Sequence, residues 1–147
     1  MKLLKLAAFG ALLTFCASAH AQDRVTVDTG MYKMDMIATS SGATIVQEST
    51  SECVVAGENS LTFAEMQEII GEDTDCTFTN VRKSPGNIVS DASCKLIAMD
   101  ATLVGVTNLD HESQKIDLTF DGNMQSGGMT LPFEFKINLY RTSPTCG

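Results

Sequence analysis

The sequence predicts a mainly β protein: an antiparallel meander sheet, curled or forming a partly open barrel, with one short amphipathic helix packed on it. Two observations lead to this prediction. Apolar and polar residues alternate along several stretches, most cleanly in residues 129–139, and clusters of Gly, Pro, Asn, Asp or Ser separate these stretches. The 3.6-residue spacing typical of a helix occurs in one short segment.

The first predicted hairpin covers residues 32–54. Its first strand alternates as half-buried strands do, with Tyr32, Met34, Met36 and Ala38 on one side and Lys33, Asp35 and Ile37 on the other. Ser40-Ser41-Gly42 is a turn signal, because Gly accepts a positive φ. Residues 43–54 then return as a second strand, with Cys53 near its end.

The next segment changes period. Thr62 and Glu65 fit a capping box, in which each side chain satisfies a free N–H at the start of a helix. Gly71 suits the position after the last helical residue. The apolar residues between them are spaced for one helical face that packs on a sheet: Phe63, Met66, Ile69 and Ile70.

The stretch 76–94 predicts a second hairpin. Ser84-Pro85-Gly86-Asn87 is a strong turn signal, because Pro presets φ at one corner and Gly accepts φ > 0 at the next. Folding about this turn places Cys76 opposite Cys94, at a separation that a disulfide spans.

Three further strands follow the cysteine hairpin. Residues 96–99 form an apolar run, which predicts a buried stretch, and 101–106 continue in strand-type residues. The polar residues 108–113 indicate a turn, and the next strand is predicted to end at Asp121-Gly122-Asn123. In the last strand the apolar residues all face one way, and Pro132 indicates a sheet edge or a position near the strand start.

The first residues have the pattern of an export signal. Lys2 and Lys5 precede an apolar core of residues 6–15, and Ala19-His20-Ala21 is a small-x-small cleavage site. We expect residues 1–21 to be a cleaved signal peptide and residues 22–147 to form a single disulfide-stapled β domain. The apolar run is too short to cross a bilayer. The predicted location is the periplasm of a Gram-negative bacterium or the extracellular medium.

Cleavage leaves four cysteines, an even number that indicates two disulfides in an exported chain. The hairpin geometry pairs Cys76 with Cys94, which leaves Cys53 for Cys146. The mature chain keeps 18 acidic residues against 8 basic ones, because Lys2 and Lys5 are lost. This negative charge repels phosphate backbones, so nucleic acid is excluded as a partner.

The sequence contains no catalytic signature, so we expect no enzyme activity and no cofactor. His111 lies in the predicted polar turn, and a Gly-x-Ser-x-Gly elbow is absent. Two metal sites are weaker alternatives. Met31, Met34 and Met36 are thioethers of the kind that binds Cu(I), although packing explains them better. The second is calcium at an acidic cluster, most of which is simply the outer helix face: Glu65, Glu68, Glu72, Asp73 and Asp75.

The order of these features resembles a known family. An export signal is followed by Gly30-Met31-Tyr32-Lys33, then by Cys53, by Cys76 and Cys94, and by a cysteine at the extreme C-terminus. This order is similar to the bacterial family catalogued as domain of unknown function 3617. Tyr32 stands where that family usually has Trp, and Gly is absent before Cys146. The resemblance implies an exported, disulfide-bonded β protein, and it transfers no catalytic residue.

Two functions fit these features. The first is a module that binds a hydrophobic small molecule or lipid in the concave face of the sheet. Its expected lining comes from the first and last strands: Tyr32, Met34, Met36, Phe133, Phe135 and Ile137. The second is a protein-interaction module of the cell envelope that uses a strand edge or an acidic face.

Overall fold

The computed structural model describes residues 24–62 and 74–147, and these are organised almost entirely as β-strands. In chain order the strands are β1 (Arg24–Thr26), β2 (Gly30–Ser40), β3 (Ala43–Val54), β4 (Ser60–Thr62), β5 (Thr74–Ser84), β6 (Asn87–Leu96), β7 (Ala101–Glu112), β8 (Lys115–Ser126) and β9 (Met129–Ser143). A 3₁₀ turn, Ile97–Met99, lies between β6 and β7.

Seven of the strands form one antiparallel sheet in the order β3-β2-β9-β8-β7-β6-β5. Strands β5 to β9 follow each other as a meander, and the β2–β3 hairpin attaches to the outer side of β9. In the described residues, β3 and β5 are the two edges of an open sheet. The predicted fold class, a mainly β antiparallel meander, is therefore confirmed.

Two-residue turns connect four of the five hairpins in the described part of the large sheet, and the 3₁₀ turn connects β6 with β7. Ser41 and Gly42 have φ values of 51° and 80°, and Gly127 and Gly128 have values of 56° and 80°. Two consecutive positive φ values match the twist of the flanking strands. The predicted turn at Pro85-Gly86 is also present, with Gly86 at φ 73°.

All buried side chains of the seven-stranded sheet, within the described residues, lie on one face. We call this the apolar face and the opposite one the polar face. Its buried members are Tyr32, Ala38, Ile88, Ser90, Ala92, Cys94, Ala101, Leu109, Phe120 and Phe133. This arrangement follows from the period-two patterning that the sequence shows in most of the strands.

A two-stranded ribbon of β1 and β4 lies on the apolar face. Val25 of β1 packs with Ile88 and Leu109 in one buried cluster. The chain after β1 is tied down by backbone bonds, since Val27 N–H donates to the Asn59 carbonyl at 2.9 Å. The ribbon removes this end of the apolar face from water, which a single-layer sheet cannot do for itself.

Two predicted turns are wrong. Residues 108–112 continue β7, so His111 is half-buried in a strand opposite Ile116 and does not lie in a turn. Its neighbours Asn108, Asp110 and Glu112 lie on the polar face, where Asn87 Nδ2 donates to Asp110 at 2.7 Å. The strand β8 likewise runs through Gly122, which faces Gly105 of β7. A Cβ on Gly122 would lie 2.6 Å from the Gly105 Cα, so glycine permits close strand approach here and does not end the strand.

The predicted buried run 96–99 is also wrong. Ile97 and Met99 are 66% and 62% exposed, because the 3₁₀ turn reverses the chain there. Pro132 was predicted to lie at a sheet edge or near the start of a strand. It lies near the start of β9, and β9 is an interior strand. Ladder pairing of β2 with β9 ends at Phe133, and the Pro132 carbonyl accepts a bond from Ser41 N–H at 3.1 Å.

Two predicted segments lie outside the described residues. The signal peptide, 1–21, precedes them, and most of the predicted helix falls in 63–73. In the part of the chain that the structure describes, no helix has the length and apolar character needed to span a membrane.

Both predicted disulfides are present. Cys53 is bonded to Cys146 with Cα atoms 5.4 Å apart, and Cys76 is bonded to Cys94 across the β5–β6 hairpin. The first joins the edge strand β3 to the chain beyond β9, and the second joins the edge strand β5 to β6. Each disulfide therefore holds one edge of the sheet.

Removing each disulfide should destabilise its own edge first. On the chain-entropy model, Cys53→Ser with Cys146→Ser costs about 4.7 kcal/mol of unfolding free energy, and Cys76→Ser with Cys94→Ser about 3 kcal/mol. Urea unfolding measures these losses. Amide hydrogen exchange should rise in β3 for the first variant and in β5 for the second; an equal rise in all strands would contradict the assignment of one edge to each bond.

Candidate functional site

The six predicted pocket residues share the apolar face, on the neighbouring strands β2 and β9. Met36 is opposite Ile137, and Phe135 is opposite Ala38 in the same ladder. Tyr32, Met34 and Phe133 occupy positions on the same face of these strands. The structure thus brings the predicted lining together on one surface.

Two of the six residues belong to the packed core. Tyr32 is 0% exposed and Phe133 is 8% exposed. The Phe133 ring contacts Phe120 edge-on, with ring centroids 6.0 Å apart. Burial to this extent leaves no surface for a ligand, so these two residues support the sheet beneath the candidate surface.

The other four predicted residues are half-buried and form a strip along β2 and β9. Leu139, opposite Met34, extends the strip beyond the predicted set. On the β3 side the strip is bordered by polar side chains, because Glu48 is opposite Met36 and Thr50 is opposite Met34. A molecule on this strip would meet methionine and branched aliphatic side chains on one side and a carboxylate on the other. Sequence patterning assigned each residue to a face but carried no signal for this border, which depends on strand order.

Tyr32 anchors the chain that leads into β2. Its hydroxyl shares its one proton between the Asp28 carbonyl at 2.8 Å and the Ser113 carbonyl at 3.3 Å, with Asp28 the closer acceptor. Burial raises the pKa of Tyr32; nearby Arg141 lowers it and Asp28 raises it to lesser degrees. The phenol is thus a neutral donor that ties the turn between β7 and β8 to the chain before β2.

A side chain at position 30 would not fit, which accounts for the glycine in the Gly-x-Tyr sequence at the start of β2. Its φ is 145°, and a Cβ there would lie 2.8 Å from Arg141 Nε and closer still to the Ser143 carbonyl oxygen. Arg141 fills this space and donates to the Thr29 carbonyl. The motif that carries the family resemblance therefore has a structural role in this chain.

The polar face carries a hydrogen-bonded cluster centred on Asp35. Ser49 Oγ donates to Asp35 Oδ1 at 2.7 Å, Tyr140 OH donates to Oδ2 at 3.2 Å, and Lys33 Nζ lies 3.2 Å from Oδ1. These contacts, that with Ser49 foremost, lower the pKa of Asp35. The bond to Asp35 in turn raises the pKa of Lys33.

This cluster borders an open cleft of about 600 Å³, and five of its six lining residues are of polar type: Asp35, Ile37, Gln47, Glu48, Ser49 and Asn138. The hydroxyl, carboxylate and amide groups of this lining can hydrogen-bond a polar molecule.

The described residues do not support either of the predicted metal sites. Within residues 24–62 and 74–147, no three side chains of His, Cys, Asp or Glu come together as a metal ion requires. Met31 lies on the opposite side of β2 from Met34 and Met36, whose face contributes to the apolar strip. Of the predicted acidic cluster, only Asp75 lies in the described part, where it is exposed.

The two sheet edges differ in how they meet solvent. Strand β5 has a register shift between Thr79 and Arg82, a positive φ of 51° at Asn80, and basic residues Arg82 and Lys83. Bulges and charged side chains, lysine above all, are among the features by which edge strands avoid pairing with other chains. This edge is thus protected.

Strand β3 has neither a bulge nor a basic residue over most of its length, and its charged side chains are Glu48 and Glu52. From Val46 to Val54 its register with β2 is uninterrupted, and its one irregularity lies beside Thr39. It contains no Pro, Lys or Arg, and residues 47–52 are all exposed. Within the described residues, no strand pairs with the outer side of β3. An edge of this kind is a template for an added strand.

Comparisons of the chain with protein-family models, with curated proteins and with solved structures found no match.

The raised pKa of Tyr32 predicts a loss of stability at alkaline pH. The unfolded chain ionises this phenol near pH 10 while the folded chain keeps it neutral, so stability present below pH 10 is lost as the pH rises through the higher folded pKa. In Tyr32→Phe the unfolding free energy, measured by urea titration from pH 8 to 11.5, should fall less steeply than in the unmodified protein. Tyr140→Phe is the control and should keep the steeper decline; equal slopes for all three proteins would refute the prediction.

Proposed function

We propose that the protein is a non-enzymatic binding module of the cell envelope that holds an extended segment of another protein as an added strand beside β3. The observation that carries this proposal is the contrast between the two edges, since β5 is bulged and basic whereas β3 is regular and exposed. Backbone N–H and C=O groups on the outer side of β3 supply affinity in such a complex, and its side chains select the partner.

Export to an oxidising compartment is part of the proposal. Two disulfides are typical of secreted and periplasmic proteins and rare in the cytosol. The signal-like N-terminus supports the same location. Membership of the resembled family stays a proposal that rests on the order of the motifs, and it suggests no activity.

Photo-crosslinking tests strand addition directly. A photoreactive amino acid is placed in turn at Gln47, Ser49 and Ser51 of β3, and the protein is irradiated in its own bacterium. Because residues two apart lie on one side of a strand, moving the probe by two positions should move the crosslinked residue by two positions along one partner. Peptide mapping by mass spectrometry reads this register.

Thr130, an exposed residue of the interior strand β9, is the control position. It should not yield the same crosslinked partner. Crosslinks that lack a two-residue progression, or that form equally from Thr130, would overturn strand addition. Crosslinks to β3 of a second copy would identify a self-paired edge.

The second candidate function is binding of a hydrophobic small molecule or lipid on the apolar face. The observation that favours it is the half-buried strip of Met34, Met36, Phe135 and Ile137, which presents adaptable apolar side chains along two strands. Met36 lies at its centre, beside Ile137.

Protein purified without detergent should then carry an apolar molecule that solvent extraction and mass spectrometry detect. Ile137→Gln should reduce the amount that co-purifies, because its cross-strand neighbours Met36 and Leu118 offer a carboxamide no hydrogen-bonding partner. Met129→Gln, at a 65% exposed residue distant from the strip, is the control and should leave the amount unchanged. An extract free of such a molecule, or an equal effect of both substitutions, would count against this function.

A further inference from the structure

We infer that the strand held by β3 is basic, with cationic side chains four residues apart on the side that continues the apolar face. This inference rests on the proposed strand addition and names the chemistry of the partner. Its source is the placement of two carboxylates on the open edge. Both lie on one face of β3, since Glu48 is opposite Met36 and Glu52 is opposite Tyr32.

The length of open edge is limited at both ends. At one end, the register irregularity lies beside Thr39, so regular pairing begins with Val46 opposite Ala38. At the other, Cys53 is bonded to Cys146, which brings the C-terminal chain against the end of β3. The regular stretch between these limits is residues 46–52, exposed from Gln47 onward, and it is long enough to pair with a strand of about seven residues.

The two carboxylates dominate the charge of this stretch. Glu48 and Glu52 are exposed, and no described basic side chain forms an ion pair with either of them. Four residues of strand place them about 13 Å apart. On an added strand, the residues directly opposite would also be four apart and on the same face, where opposite charges attract and like charges repel.

A second copy of the chain is a poorer occupant. Antiparallel pairing of two β3 strands centred on Glu48 places that carboxylate opposite itself, and pairing centred on Thr50 places Glu48 opposite Glu52. Centring on Ser49 avoids direct opposition but leaves the carboxylates diagonal to one another. The formal charge of each chain, −8, adds a repulsion between copies at low salt. The charge of the edge therefore favours a basic partner over self-pairing.

The other side of β3 places few demands on the partner. Its side chains here are Gln47, Ser49 and Ser51, which are short or uncharged, and the Ser49 hydroxyl already donates to Asp35. Uncharged residues such as Thr suit the positions opposite them. Selection consequently depends on the face that carries Glu48 and Glu52.

Two synthetic peptides of identical composition test the inference. The first is acetyl-Thr-Lys-Thr-Val-Thr-Lys-Thr-amide, whose lysines are four apart and can lie opposite Glu52 and Glu48 in one antiparallel register. The second is acetyl-Thr-Thr-Lys-Val-Lys-Thr-Thr-amide, whose lysines are two apart and cannot both do so. Each is titrated into the ¹⁵N-labelled, disulfide-bonded protein at low salt, and amide chemical shifts locate binding and measure Kd.

The first peptide should bind along β3 about fivefold more tightly than the second, since each cross-strand ion pair contributes modestly. Added salt should reduce this preference. Glu48→Gln with Glu52→Gln should abolish it, whereas Glu134→Gln, an exposed carboxylate on the polar face of the interior strand β9, should not.

The outcomes separate the inference from the proposed function. Equal binding of both peptides along β3 would refute the basic partner while leaving strand addition intact. Shift changes elsewhere, or no binding along β3 by either peptide at millimolar concentration, would count against both. Concentration-dependent β3 shifts without peptide would identify a second copy as the occupant and overturn the inference.

Discussion

An open β-sheet has two edge strands, each hydrogen-bonded on one side only, and this structure depends on how those two strands are held. Interior strands gain two ladders, whereas an edge strand gains one and opens more readily. Here each edge carries one end of a disulfide, Cys53 in β3 and Cys76 in β5. Covalent attachment substitutes for the missing ladder. It explains how β3 can be mostly exposed and still belong to the sheet.

The two faces of the sheet divide the remaining tasks. The apolar face supplies the core, with Phe120 and Phe133 at its centre and the β1–β4 ribbon laid over one end. The polar face supplies side-chain networks, such as Ser49 and Tyr140 around Asp35. Strand β3 contributes least to the core, since two of its positions on the apolar face are glutamates.

Most of the sheet could be predicted from the sequence, because period-two alternation and turn residues are local signals. Pro85-Gly86 predicted the second hairpin, and the opposition of Cys76 and Cys94 followed from it. Prediction was wrong where a residue type has two structural uses. Gly122 was interpreted as a strand terminator, yet it serves close approach to Gly105. The polar run around His111 was interpreted as a turn, yet Asn108, Asp110 and Glu112 occupy the polar face of a continuing strand.

The candidate sites show a different limit. All six predicted pocket residues share a face, because alternation determines this within each strand, and the pairing of β2 with β9 makes them neighbours. Two of them proved to be core residues, Tyr32 because its hydroxyl bonds two carbonyls and Phe133 because it packs on Phe120. No local pattern in the sequence indicates that β3 is an edge strand. Edge status depends on strand order, which is a property of the whole sheet.

The pairing of β2 with β9 has a consequence for the order of folding. Met36 and Ile137 are neighbours in space although about a hundred residues separate them in the chain, while every other ladder of the large sheet joins consecutive strands. Local hairpins form faster than contacts between distant segments, because less chain entropy is lost in closing the loop. Cys76 and Cys94 can therefore meet within their own hairpin. Docking of β9 beside β2 brings Cys53 and Cys146 together, so we expect their bond to form later than that of the hairpin.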